Sequence, residues 1–197
     1  ESLDPQRRRS LHPVTVLRGY WELLRDREFL GYSLSAGCVQ GGMFAYIAGS
    51  PFVLIELHGI DPSYYGFVFG ANAFGLIAMS QVNARLVRTR ALDDVLRAAL
   101  FAPCLAGLTL AVAALLVLLC CFFVFLAGLG CITPNASALA LSRQSHRAGT
   151  ASALMGTLQF GFGTLAGAAV SVWHDGTSLP LAVVMAICGS GAVLLRL

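Results

Sequence analysis

No lysine occurs in the 197-residue chain, and charge of either sign is scarce: 13 arginines and 10 carboxylates make up only 12% of it. A soluble domain carries roughly 25%. With 57% of residues hydrophobic, that balance excludes a solvated globule and points to a membrane protein. The sequence also lacks Gly-x-Ser-x-Gly, His-Glu-x-x-His and a P-loop lysine, so hydrolase, metalloprotease and ATPase chemistry have no footing. Its six cysteines, Cys38, Cys104, Cys120, Cys121, Cys131 and Cys188, form no Cys-x-x-Cys and sit in apolar runs as small packing residues. The histidines, His12, His58, His146 and His174, are scattered over loop positions and cannot share a metal.

What is present is a set of long uncharged runs. Glu28 to Glu56 encloses 27 residues, Asp61 to Arg85 encloses 23, Arg97 to Arg143 encloses 45, Arg147 to Asp175 encloses 27 and Asp175 to Arg196 encloses 20. A bilayer core about 30 Å thick needs about 20 apolar residues per helix. The longest run is two spans, because one helix of that length would reach roughly 67 Å. Six spans result, at about 30–54, 64–84, 95–117, 121–141, 150–173 and 179–196. Arg7, Arg8, Arg9, Arg18, Arg25 and Arg27 precede the first, Arg85, Arg88, Arg90 and Arg97 cluster between the second and third, Arg143 and Arg147 between the fourth and fifth, and Arg196 comes after the last. Six spans with both ends on one side place every arginine on that side, which the positive-inside rule makes cytoplasmic. The net charge of +3 is then a topology signal and implies no nucleic acid.

Residues 1–28 read as a basic connector and then a helix lying at the membrane interface, with Leu17, Trp21 and Leu24 on one stripe and Tyr20 and Trp21 at headgroup level. The six-span bundle occupies 29–197. Glu1 without a preceding methionine and the abrupt end of the sixth span suggest a piece of something longer. "HGIDPS" predicts a turn with Asp61 as N-cap and Pro62 at the first helical position, and "HDGTSLP" does the same before the last helix. The junction between the third and fourth spans holds no glycine, proline or charge. It is either a very tight hairpin or a place where loop residues are absent near Leu119, and absence is favoured.

Gly37 and Gly41, Gly66 and Gly70, and Gly163 and Gly167 have the Gly-x-x-x-Gly spacing of close helix packing. Pro51 removes the hydrogen bond to the carbonyl of Ile47, and with Gly49 and Ser50 beside it a bend is expected between Ile47 and Pro51. Such a bend is either purely structural or the mark of a moving, cavity-lining helix. Gln40, Tyr46, Asn72, Asn135 and Gln159 are the polar residues within the spans, with Phe44, Phe160 and Phe162 beside them. Each is either an interhelical hydrogen bond or part of an amide and aromatic lining for mixed polar and apolar molecules. No Asp, Glu, Lys or Arg lies inside the apolar runs, although a proton-coupling site normally needs one.

Five blocks, "RDREFLGYSLSAGCVQGGMFAYIAGSPFVL", "YGFVFGANAFGLIAMSQVNARL", "PNASALAL", "RAGTASALMGTLQFGFGTLAG" and "HDGTSLPLAVVMA", run in order over nearly the whole chain. They closely resemble the carboxy-terminal half of the Bcr/CflA (bicyclomycin-resistance) drug efflux pumps of the major facilitator superfamily. The resemblance implies an all-α, polytopic six-helix bundle equivalent to helices seven to twelve of a twelve-helix proton-coupled antiporter. Such a pump exports small drugs such as bicyclomycin-type antibiotics across the bacterial inner membrane by rocking two halves around a central cavity. It is a secondary transporter, not an enzyme, with no cofactor and the proton motive force as its energy source.

On that resemblance the first and fourth helices line the cavity, with Gln40, Met43, Phe44, Tyr46 and Asn135 as substrate candidates. Gly49, Ser50 and Pro51 form a hinge, while Asn72, Gln159, Phe160, Gly163 and Gly167 belong to the moving interface with the other half. Implied partners are small-molecule drugs, the lipid bilayer and the missing amino-terminal six-helix half. This chain departs from the family in lacking that half and its membrane carboxylate. Alternatives are a homodimer imitating two halves, or a non-transporting six-helix scaffold that kept the fold.

Overall fold

The structure, a computed structural model, describes residues 13–110 and 115–196; most of the basic connector, His12 included, lies outside the described residues. The helices are α1 (Pro13–Leu23), α2 (Arg27–Pro51), α3 (Pro62–Leu86), α4 (Leu92–Leu110), α5 (Leu115–Ser142), α6 (Ala148–Val172) and α7 (Leu179–Leu194), with no strand among the described residues. The all-α membrane bundle expected from the apolar runs is what forms. Four helices, α2, α3, α5 and α6, are long and apolar enough to cross a bilayer unaided. The other two, α4 and α7, have 19 and 16 residues; at 1.5 Å per residue these reach about 28 and 24 Å.

Local chemistry sets the helix ends. Asp26 caps α2 by accepting hydrogen bonds from the amides of Glu28 and Phe29, both at 3.1 Å. As expected, Asp61 caps α3, accepting from the Ser63 amide at 2.8 Å with Pro62 opening the helix. The Ser63 hydroxyl and amide hold the Asp61 carboxyl below its usual range. In the turn before α7 Asp175 accepts from both the amide and the hydroxyl of Thr177, which lowers its pKa in the same way. Gly59 and Gly176 take φ of +66° and +79° in these turns, a conformation open to glycine without strain.

In the packing, α2 is central and lies against α5, α6 and α7; α4 packs on α5 and α7, and α3 on α5. Glycine brings these helices close. A Cβ on Gly37 would meet the Phe162 ring at 3.2 Å, and one on Gly41 would meet Cys188 Sγ at 3.2 Å, so the first Gly-x-x-x-Gly pair does face neighbouring helices. Across the α4 and α7 seam, Gly107 and Gly189 each face the other helix's backbone: a Cβ added at either would come within 2.8 Å of the Met185 carbonyl or 2.6 Å of the Pro103 carbonyl. In contrast, Gly66 and Gly70 have nothing within 4 Å. They lie on α3, where only 17% of the apolar window is buried, against 28% for α6 and 56% for α2 and α5. Thus α3 and α6 are the exposed flanks of the bundle.

One expectation is corrected. The third and fourth spans do not meet near Leu119, which lies inside α5; the connection falls at 111–114, outside the described residues. The absence of a breaker that made 118–120 puzzling as a turn is the reason the helix runs through it. Beyond Pro51 the hydrogen-bond pattern of the helix changes. The α-helix continues through Ile47–Pro51, then widens into a π-helix at Phe52–Leu57. The Phe52 amide donates to the Gly49 carbonyl at the end of the α-helix, and π turns such as the one that follows recur at functional sites. The segment closes with the Gly59 amide donating to the Ile55 carbonyl at 3.1 Å.

The arginine-bearing end is cross-tied by charge. Gln144, buried, donates to Asp26 at 2.7 Å and accepts from Arg147 Nε at 2.7 Å, while Arg147 also pairs with Glu22 of α1 and Arg143 with Glu28. A second cluster joins three helices: Asp93 of α4 pairs with Arg97 and Arg196 and accepts from the Tyr32 hydroxyl. The Arg196 guanidinium also lies 4.0 Å over the Tyr32 ring. Against this end α1 docks through Leu23, fully buried, leaving Val14, Leu17, Trp21 and Leu24 exposed on its other face.

Candidate functional site

Helix α2 is buried on most sides, yet one stripe of it stays accessible. Gln40, Met43 and Phe44 are half-buried and Ile47 is exposed, at i, i+3, i+4 and i+7, which is one face of a helix. The Phe44 ring lies edge-on to Phe160 of α6, centroids 6.1 Å apart. Phe160 itself is largely exposed. Among the described residues neither Gln40 nor Gln159, both half-buried, hydrogen-bonds to another side chain or to a carbonyl outside its own helix. The result is a mixed amide and aromatic surface with hydrogen-bonding capacity left over, suited to oriented but adaptable binding. Ile47 was missed in the sequence because an isoleucine in an apolar run carries no signal of its own.

The remaining candidates lie elsewhere. Tyr46 points away from the stripe into the core, fully buried between Phe69 and Phe122, with ring centroids at 6.0 and 4.9 Å. Its hydroxyl accepts from the Asn72 side chain at 2.8 Å, so Tyr46 and Asn72 tie α2 to α3. Asn135, also buried, forms a reciprocal amide pair with Asn83: Asn135 Nδ2 donates at 2.7 Å and Asn83 Nδ2 at 3.1 Å. Asn83 is an interhelical pairing partner that sequence reasoning missed, since its position near the end of α3 resembles that of a loop-proximal amide. For these residues the structure realises the interhelical hydrogen bond, one of the two readings open from sequence.

The hinge and interface candidates also divide. Gly49 is packed between Val170 and Leu181. Ser50, buried, hydrogen-bonds the Tyr65 hydroxyl at 2.9 Å, which holds the turn before Pro51 against α3. Gly163 faces inward, where a Cβ would meet the Phe44 ring at 2.7 Å, and a Cβ on Gly167 would lie 3.9 Å from the Phe44 carbonyl oxygen. Both therefore seat α2 within the bundle instead of facing outward. The outward surface of α6 carries Phe160, Leu165 and the open glycines Gly149, Gly156 and Gly161.

Replacing Tyr46 with phenylalanine is expected to cost about 0.6–1.7 kcal/mol, the range for one interhelical hydrogen bond in a membrane protein. Thermal unfolding in detergent measures it. Unchanged stability with reduced ligand binding would instead make the hydroxyl a ligand contact.

The sequence model of the Major Facilitator Superfamily matches residues 2–168. An uncharacterised MFS-type transporter, YdgK, of Bacillus subtilis is 30% identical over 96% of this chain and 49% of its own length. A bicyclomycin resistance protein homologue of Haemophilus influenzae is 32% identical over 88% of this chain and 45% of its own. The chain spans about half the length of these relatives.

Proposed function

The chain belongs to the major facilitator superfamily, and we propose that it forms the carboxy-terminal six-helix half of a proton-coupled antiporter exporting small drugs across the bacterial inner membrane. The observation that carries this reading is the accessible stripe Gln40, Met43, Phe44 and Ile47 on an otherwise buried central helix. A lipid-facing helix would have no use for a half-buried glutamine, because a polar group in hydrocarbon costs free energy unless it is paired or wetted. A water-filled cavity closed by a second six-helix half explains it.

The exposed flanks supply the rest of the proposal. The outward faces of α3 and α6, with Gly66, Gly70, Gly156 and Gly161 open, are where the amino-terminal half packs, since small residues let helix backbones approach closely. Rocking of the two halves then exposes the α2 stripe to one side of the membrane at a time. The arginine-bearing end faces the cytoplasm, with both termini of the segment there. The carboxylate that exchanges protons belongs to the partner half, because the carboxylates of the described residues lie at helix ends and in loops. Bicyclomycin-type antibiotics are the substrate class suggested by the name of the Haemophilus relative.

The test is export of a fluorescent cationic dye from cells expressing this chain with and without a cognate amino-terminal half. Efflux is expected only with both halves, stopped by collapsing the proton gradient and lowered several-fold by Gln40→Ala or Phe44→Ala. A folded two-half complex that exports no dye or bicyclomycin-type drug would replace this reading with a non-transporting scaffold.

A further inference from the structure

At the arginine-bearing end, α3 and α4 both pack on α5 but scarcely touch each other. The gap between them is a groove of about 280 Å³, walled by Met79 and Leu86 of α3 and by Val95, Ala98 and Ala102 of α4, and floored by Cys131. It exists because alanine, not leucine, occupies positions 98, 99 and 102. Arg90 and Asp94 stand at its mouth, both exposed, and among the described residues neither joins an ion pair, with each other or with a third group. The groove lies apart from the α2 stripe.

We propose that this groove binds one phospholipid with an aminoethyl phosphate headgroup, a phosphatidylethanolamine. The mouth offers one cation and one anion that leave each other unpaired, and this headgroup carries the complementary pair. Its phosphate oxygens accept from the Arg90 guanidinium, and its primary ammonium donates to the Asp94 carboxylate. The apolar walls continue from that mouth: Asp94 to Ala102 is eight residues of helix, about 12 Å of depth, lined by methyl groups that accept one acyl chain. A choline headgroup cannot donate a hydrogen bond to Asp94. A glycerol headgroup leaves that carboxylate facing a phosphate with no cation between them. Arg85 and Arg88 are also exposed on this end and attract anionic lipid generally, but they do not line the groove. Arg97 is engaged by Asp93.

The inference needs only that the chain is embedded in a membrane, so it stands or falls apart from drug export. The protein is purified from membranes in mild detergent, offered phosphatidylethanolamine, phosphatidylglycerol or phosphatidylcholine at equal concentration, and lipid retention is read by native mass spectrometry. Ethanolamine lipid is expected to be retained roughly tenfold better than the other two, the size of one charge-assisted hydrogen bond. Asp94→Asn removes that preference and raises phosphatidylglycerol retention; Ala98→Leu fills the groove and lowers ethanolamine-lipid retention. Arg90 and Asp94 are exposed, so their variants fold, and size-exclusion chromatography checks this. Equal retention of the three lipids by the wild type, or undiminished ethanolamine-lipid binding in Arg90→Ala and Asp94→Asn together, would overturn the proposal.

Discussion

Gly130→Ala is expected to lower stability by about 3 kcal/mol, at the upper end of what overpacking a well-packed core costs. A Cβ at this position would run into the backbone of α3: the Leu76 carbonyl oxygen, and the Ser80 amide nitrogen at 2.7 Å. A crowded side chain can rotate away, but a backbone carbonyl moves only if the whole helix does. The α3 to α5 seam must therefore open, loosening the helix that holds Asn72 and Asn83 against their partners. Cys38, Cys121, Cys131 and Cys188 are buried free thiols and Cys120 is exposed, so in a Cys120→Ser background the labelling of the buried thiols by a thiol-reactive dye reports unfolding in detergent. The midpoint should fall by roughly 6–12 °C for this size of protein. Gly161→Ala is the control, because nothing lies within 4 Å of its Cβ position; its stability should hold or rise slightly through better helix propensity. A Gly130→Ala protein that melts like the wild type would mean that α3 and α5 do not meet at this residue.

That contrast shows where the sequence was readable and where it was not. The all-helical membrane class comes from the spacing of charged residues, because the bilayer penalises charge so heavily that its absence is informative. The helix start at Asp61 was equally local, since its cap is a contact between residues two apart. The two most crowded glycines, Gly42 and Gly130, stand in no Gly-x-x-x-Gly pair, and of the three pairs Gly163 is tightly packed while Gly66 and Gly70 would each place a Cβ with nothing within 4 Å. Small size is visible in a sequence, but the helix that uses it is not. The same holds for the polar residues. Gln40, Tyr46 and Asn135 were equivalent as amides and phenols in apolar runs, and only the three-dimensional pairing separates them. Asn83 and Asn135 are 52 positions apart and on different helices, so no periodicity connects them. Pro51 was legible as a disturbance, but its resolution into a π turn involves the residues beyond it, among them Val53 and Leu54, which are buried in the bundle.

The amide pair yields the second large effect and decides whether Asn135 belongs to the transport site. Replacing Asn135 with leucine removes both hydrogen bonds and leaves Asn83 buried without its partner. Stranding a buried polar group costs about 1–3 kcal/mol, more than the bond itself contributes. The double replacement, Asn83→Leu with Asn135→Leu, removes the stranded group as well. It should recover most of that loss, because exchanging both partners for apolar side chains of similar shape is nearly neutral. The coupling between the two sites, read from the four proteins of the cycle, is then of order 1–2 kcal/mol. Transport measured on the same four proteins, each with the partner half, separates the roles. If Asn135 serves only to join α5 to α3, dye export tracks stability and returns in the double variant. If Asn135 also contacts the substrate, export stays low in the double variant although the fold is restored, because leucine cannot supply the amide that the drug would meet.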